Sequence, residues 1–95
     1  MRVAIVLVLA LTSCVSARNC ATSIPDDLRA DAIRFALDRH LVEMRLVPRD
    51  DVSLALGAGT SYAAQPESRR DRVAPYAAGY ASCILERVNP DRQLP

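Results

Sequence analysis

Apolar residues recur at helical spacing over most of the chain after residue 22. Ser23, Pro25 and Asp26 supply an N-cap candidate, a proline and an acidic residue, which are typical of a helix start. Pro48 supplies a stop, so the spacing predicts a first helix from about residue 26 to Val47. One broad apolar face of this helix comprises Ala30, Ile33, Leu37, Leu41, Met44 and Val47.

The same predicted helix carries a second apolar row on nearly its opposite side. A helix that is apolar on two sides has to be covered on two sides. The pattern therefore predicts that two further helices straddle the first one. In the alternative, the second row binds a protein partner or a second copy of the chain. The row comprises Leu28, Phe35, Val42 and Leu46, of which the first three are the candidate partner-binding residues.

A middle stretch, which starts at the pair Asp50 and Asp51, predicts a second helix from about residue 51 to 64. Pro66 ends it, and a break near Gly57 is the alternative because glycine weakens a helix interior. The spacing also predicts close contact between this helix and the last one, through small residues on both. These residues are Ala55, Gly59 and Ala63 on one side and Ala74, Ala77 and Ala81 on the other.

The last helix has a clear apolar face and a start near Ser68 or Asp71. Pro75 is expected to lie near its first turn or to kink it. No alternating β pattern competes with helix anywhere, so the expected fold is an all-α, small three-helix bundle. The apolar face comprises Val73, Tyr76, Ala77, Tyr80, Cys83, Ile84 and Val88.

The N-terminus has the order of a secretory signal. Arg2 is followed by the unbroken apolar run Val3 to Leu11, which is too short for a permanent span of about 20 residues. We expect a signal peptide at residues 1–13, or at 1–17 if an ordinary signal peptidase cleaves after Ala17. A leader at 14–22 and a helical domain at 23–95 follow.

The residues Leu11, Thr12, Ser13 and Cys14 resemble the lipobox of bacterial lipoproteins. The resemblance implies cleavage before Cys14, diacylation of its thiol and a durable membrane anchor. Val15 stands where an aspartate would favour the inner membrane, which implies the outer membrane with the protein facing the periplasm. Cleavage after Ala17 would instead give a soluble periplasmic or secreted protein.

Three cysteines are an odd number for an exported chain. Lipidation or removal of Cys14 leaves Cys20 and Cys83 in a compartment that oxidises thiols. We therefore expect a disulfide between these two, which are 63 residues apart in the sequence.

Charge and composition exclude several functions. Twelve basic residues, all of them arginine, face eleven acidic ones, so nothing favours nucleic-acid binding. The absence of lysine excludes Schiff-base catalysis. A single histidine, His40, excludes two-histidine metal sites, and no cofactor motif is present. The aspartate pairs Asp26–Asp27 and Asp50–Asp51 fit helix starts, so no catalytic residue is expected.

Arg69, Arg70 and Arg72 form the one basic cluster of the sequence. A solvated helix start explains it, and the alternative is contact with an anion such as a lipid phosphate or an acidic partner. Tyr76 and Tyr80, one turn apart, are expected in the core, with a partner-facing aromatic pair as the alternative.

These features together predict a small exported lipoprotein with a non-catalytic binding, adaptor or inhibitor role at the periplasmic face of the outer membrane. It would contact the membrane through its lipid and a protein partner or second copy through its surface. The alternative is a soluble periplasmic immunity-type protein that neutralises a toxin or effector enzyme. An adjacent toxin or amidase gene would favour that alternative.

Overall fold

The computed structural model describes residues 20–88. Helix α1 spans Asp26–Asp38, α2 spans Arg49–Ala58 and α3 spans Glu67–Val88, each preceded by a single 3-10 turn. These described residues form an all-α fold of three helices, as the sequence predicts. The 3-10 turns lie at Ala21–Ser23, Met44–Leu46 and Tyr62–Ala64.

The three helices begin in the same way. After each 3-10 turn comes one buried residue in an extended conformation, then a proline, then the helix. A residue before proline is disfavoured in the helical region, so the chain must leave the turn before the helix starts. The buried residues are Ile24, Val47 and Gln65, and the prolines are Pro25, Pro48 and Pro66.

The predicted side-chain caps of the first two helices are wrong, because a proline precedes each helix. Pro25 and Pro48 occupy the N-cap positions of α1 and α2, and neither helix has a side-chain cap. Ser23 instead donates a hydrogen bond to the carbonyl of Cys20 at 3.2 Å. The aspartates that follow each proline lie in the first turn, where they interact favourably with the helix dipole.

Helix α1 is the centre of the bundle. It packs against both α2 and α3, which confirms the predicted straddling arrangement. Helices α2 and α3 barely meet, so the predicted small-residue contact between them is wrong. Gly59 instead approaches α1, where a Cβ atom on it would lie 2.6 Å from the carbonyl oxygen of Ala30.

The second apolar row is covered by the chain itself. Leu28 and Val42 are each only 4% exposed, and Phe35 is half-buried against the core. Leu28 and Val42 are therefore core residues, and Phe35 packs against the core while remaining partly exposed. The rest of the core includes Ile33, Ala36, Leu37, Val47, Ala55, Val73, Ala77, Tyr80 and Ile84.

The predicted end of the first helix at Val47 is wrong, since α1 ends at Asp38. His40 has a positive φ of 57°, the left-handed conformation that commonly ends helices. The Leu41 N–H donates to the carbonyl of Ala36 at 2.9 Å, and the His40 N–H donates to that of Leu37 at 3.2 Å. These two bonds form a Schellman motif, which turns the chain away from the helix axis.

Replacing His40 with glycine should raise the free energy of unfolding by about 1 kcal/mol, because only glycine adopts this conformation without a steric cost. Urea unfolding measures the change. Arg39, the neighbouring residue, has φ −93° and ψ 6° and serves as the control. Arg39→Gly should lower stability, and an equal loss in both variants would contradict the role assigned to His40.

The other two helices also differ from their predicted limits. Helix α2 ends at Ala58 rather than 64, close to the break that was the alternative. Helix α3 begins at Glu67 and continues through Pro75, which lies well inside it and not in its first turn. Proline lacks the N–H that would bond the carbonyl of Asp71 one turn earlier in the helix.

The predicted disulfide is present between Cys20 and Cys83, with the two Cα atoms 5.7 Å apart. It joins the segment before α1 to the second half of α3. Within residues 20–88, no helix is long and apolar enough to cross a membrane. The expected signal at residues 1–13 or 1–17 and the lipidation residue Cys14 lie outside the described residues.

Candidate functional site

A buried carboxylate joins all three parts of the bundle. Asp31 on α1 is 8% exposed. Its Oδ2 accepts a hydrogen bond from Nε of Arg69 on α3 at 2.9 Å, and its Oδ1 accepts one from the N–H of Thr60 at 2.7 Å. Arg69 also donates to the carbonyl of Asp27 at 2.6 Å. These contacts fix the loop after α2 and the first turn of α3 on α1.

Gln65 completes this arrangement, and we call Asp31, Thr60, Gln65 and Arg69 the Asp31 cluster. Gln65 is 2% exposed, and its Nε2 donates to the carbonyls of Thr60 at 2.8 Å and Asp31 at 3.3 Å. Its Oε1 accepts no hydrogen bond from the described residues. Since most of its polar groups bind each other, the Asp31 cluster holds the fold together.

Replacing Asp31 with alanine should lower the free energy of unfolding by about 2 to 3 kcal/mol, because it leaves Nε of the half-buried Arg69 and the N–H of Thr60 without an acceptor. Denaturant unfolding measures the loss. Glu43→Ala is the matched control, since Glu43 pairs with Arg45 at 2.8 Å on the exposed surface. Its loss should stay below about 1 kcal/mol. Equal losses in the two variants would mean that Asp31 contributes no more to the free energy of unfolding than an exposed ion pair does.

The three arginines of the sequence cluster have separate partners. Arg69 binds Asp31, and Arg72 forms a longer pair with Asp27 at 3.8 Å. Arg70 donates from Nε to the carbonyl of Gln65 at 3.1 Å. Arg69 and Arg70 are half-buried, so a fully solvated helix start describes only Arg72. The three side chains therefore do not form one anion site.

An aromatic and cationic cluster lies beside the 3-10 turn before α3. The Tyr62 ring makes an edge contact with Phe35, with ring centroids 5.0 Å apart. The guanidinium carbons of Arg39 and Arg70 lie 4.8 Å and 5.0 Å from the Tyr62 centroid. The Tyr62 N–H donates to Oδ2 of Asp38 at 2.8 Å. The sequence did not reveal this cluster, because its members come from three separate segments.

The two tyrosines of α3 have different environments. Tyr80 is 2% exposed, and its hydroxyl donates to Oδ2 of Asp51 at 2.6 Å. Burial, the hydrogen bond to Asp51 and its charge raise the pKa of Tyr80 far above the usual value, so the phenol stays neutral and remains a donor. Tyr76 is 38% exposed. The core expectation is therefore right for Tyr80 and wrong for Tyr76.

Two surface depressions are lined by the described residues. One, of about 630 Å³, is an open groove between the start of α1 and the middle of α3, lined by Pro25, Asp27, Leu28, Asp71, Arg72, Pro75 and Tyr76. The other, of about 330 Å³, is lined by residues from the end of α1 and the following turn, and by one residue of α3. They are His40, Leu41, Val42, Glu43, Arg45, Leu46 and Leu85.

The most reactive side chains of the described residues, the histidine and the two cysteines, do not form a catalytic pair. His40 is exposed and lies just after the end of α1. Cys20 and Cys83 are in the disulfide, so neither is a free thiol for His40 to activate. Within the described part of the chain, no three His, Cys, Asp or Glu side chains are grouped to hold a metal ion.

No family model matches this chain, and neither a curated protein nor a solved structure matches it.

Proposed function

We propose that this protein is a small exported lipoprotein that acts by binding, as an adaptor or inhibitor, at the periplasmic face of the outer membrane. The disulfide between Cys20 and Cys83 carries the proposal. It pairs the two cysteines that follow the lipobox and leaves Cys14 as the remaining thiol, at the position where lipidation is expected. Stable disulfides are also typical of exported proteins and rare in the cytosol.

The same disulfide would fix the lipid-bearing segment to the helical domain. Cys14 lies six positions before Cys20 in the sequence, and a fully extended chain of that length reaches about 20 Å. Cys20 is buried and covalently joined to α3, so the tether ends on the rigid bundle. A lipid on Cys14 would therefore keep the bundle close to the membrane surface.

The polar side chains fit a binding role better than a catalytic one, because the buried ones are taken up by bonds within the fold. The buried polar side chains, Asp31, Gln65 and the Tyr80 hydroxyl, bond to neighbouring elements. A catalytic site needs a nucleophile, a base and an oxyanion site that converge. The described surface instead offers shallow grooves with exposed side chains such as Tyr76 and Leu41, which suit contact with another molecule.

Replacing Cys14 with serine tests the anchor, because serine cannot form the thioether. We expect the wild-type protein to sediment with membranes and the Cys14→Ser variant to lose the lipid. Ser13→Ala is the matched control, since alanine is also small and should preserve processing. The disulfide is distant in sequence from both changes and should form in each variant.

The soluble alternative makes the opposite prediction. If an ordinary signal peptidase cleaves after Ala17, the mature protein starts with a free amine on Arg18 and has no lipid. Equal amounts of wild-type and Cys14→Ser protein in the soluble periplasmic fraction would therefore contradict the lipoprotein proposal. That result would favour the immunity-type function.

A further inference from the structure

Two guanidinium groups without an ion pair inside residues 20–88 lie against one aromatic ring. Arg39 extends from the end of α1, and Arg70 extends from the first turn of α3. Both guanidinium carbons lie within 5.0 Å of the Tyr62 centroid. Five other arginines in this range have a carboxylate partner: Arg29, Arg34, Arg45, Arg69 and Arg72.

The acidic residue beside this pair does not neutralise it. Asp38 binds the N–H of Tyr62 at 2.8 Å, but its two oxygens also accept from Nε of Arg34, each at 3.1 Å. The charge of Asp38 is thus opposed by Arg34, and the two charges of Arg39 and Arg70 remain. A cation on an aromatic face gains only about 0.5 to 1 kcal/mol at an exposed site, which leaves the charge available to an anion.

The cluster is held in position by contacts on every member except Arg39. The Tyr62 ring rests against Phe35 and its backbone is bonded to Asp38, while Arg70 is fixed by its bond to the carbonyl of Gln65. A site whose parts are already positioned loses less entropy when a ligand binds.

We propose that Arg39, Arg70 and Tyr62 form a binding site for a phosphate monoester group. Such a group carries about −1.5 to −2 charges near pH 7 and has three strong acceptor oxygens, which matches two guanidinium groups. Guanidinium forks fit phosphate geometry, whereas one carboxylate carries a single charge and would leave one arginine uncompensated. A soluble phosphate and a lipid with a terminal phosphate share this chemistry. The inference goes beyond the proposed function and does not depend on lipidation of Cys14.

A titration of the mature exported protein with inorganic phosphate at pH 7.5 and constant ionic strength tests the site. We expect saturable shifts of the Arg39 and Arg70 Nε–Hε signals and of the Tyr62 ring signals in NMR spectra. Arg39→Gln should weaken binding about tenfold, the loss typical of one charge-assisted hydrogen bond. Arg39 makes no side-chain hydrogen bond or ion pair within residues 20–88, so this variant should fold normally.

Arg49→Gln is the control, because Arg49 is an exposed arginine at the start of α2. It should bind phosphate as the wild type does. Shifts that never saturate, or equal weakening in Arg39→Gln and Arg49→Gln, would overturn the proposal, since both indicate general charge attraction only.

The source of the phosphate is resolved by a second ligand, dihexanoyl phosphatidic acid below its micelle-forming concentration. Tighter binding than that of inorganic phosphate, weakened in Arg39→Gln, supports a lipid headgroup. Equal binding of the two ligands, again weakened in Arg39→Gln, supports a soluble phosphate. Binding of dihexanoyl phosphatidylcholine as strong as that of phosphatidic acid would overturn the site, because it would show no preference for the monoester.

Discussion

Replacing Cys20 and Cys83 together with alanine is expected to lower the free energy of unfolding by about 4 kcal/mol, the value for a closed loop of this length in the chain-entropy account. The bond closes a separation of 63 residues. The core that remains is poor in large side chains, because the whole sequence has one phenylalanine and no tryptophan. Domains of this size are stable by only a few kcal/mol, so the variant should be largely unfolded near 37 °C.

Thermal unfolding followed by circular dichroism measures this loss. Alanine is preferred to serine because Cys20 is buried, and a hydroxyl there would add a separate cost. The wild-type protein in the presence of a reductant is the control and should unfold at nearly the same temperature as the double variant. If reduction and substitution both leave the melting temperature unchanged, the disulfide does not stabilise this fold.

Replacing Gly59 with alanine should cost about 3 kcal/mol, since its Cβ would overlap two backbone oxygens. The added carbon would lie 2.5 Å from the carbonyl oxygen of Ala55 and 2.6 Å from that of Ala30. Neither atom is the end of a flexible side chain, so α2 would have to move away from α1. This shift would also strain the bond between the Thr60 N–H and Asp31.

The control for this substitution is Gly57→Ala, two residues earlier in the last turn of α2. A Cβ at Gly57 meets nothing within 4 Å, and the residue is exposed. Alanine there should raise stability by about 0.5 to 1 kcal/mol, because it is the better helix former. Urea unfolding of both variants measures the contrast. A Gly59→Ala variant as stable as Gly57→Ala would contradict the close approach of α2 to α1.

The sequence predicted the parts of the fold that depend on local pattern. The number of helices follows from the spacing of apolar residues, and the pairing of Cys20 with Cys83 follows from the count of cysteines. The end of α1 gave no such indication, because His40 adopts a conformation usually taken by glycine. The end of α2 depends on the contact between Gly59 and Ala30, which only the folded chain creates.

The early end of α1 changes which residues belong to its second apolar row. Val42 and Leu46 were assigned to the second row of α1 but lie beyond Asp38, in the turn that leads to α2. Val42 is nevertheless buried, since the Schellman motif turns the chain back over the bundle. These hydrophobic positions need covering, and the cover comes from within the chain, as the predicted straddling arrangement requires.

The candidate site was the least predictable part of the molecule. Arg69, Arg70 and Arg72 are adjacent in sequence, yet Arg69 and Arg72 bind aspartates of α1 while Arg70 contacts Tyr62. Arg39 contacts the same ring from the residue that directly follows α1. A cluster whose members come from distant segments leaves no local pattern in the sequence. The spacing of residues therefore could not predict the cluster of Arg39, Arg70 and Tyr62.

The intact mass of the exported protein, alkylated with and without prior reduction, tests the lipoprotein account most directly. The account predicts a chain that begins at Cys14 and carries the added mass of its acyl chains. No thiol should be alkylated before reduction, and Cys20 and Cys83 should both be alkylated after it. A chain that begins with a free amine on Arg18, or a thiol that reacts before reduction, would contradict it.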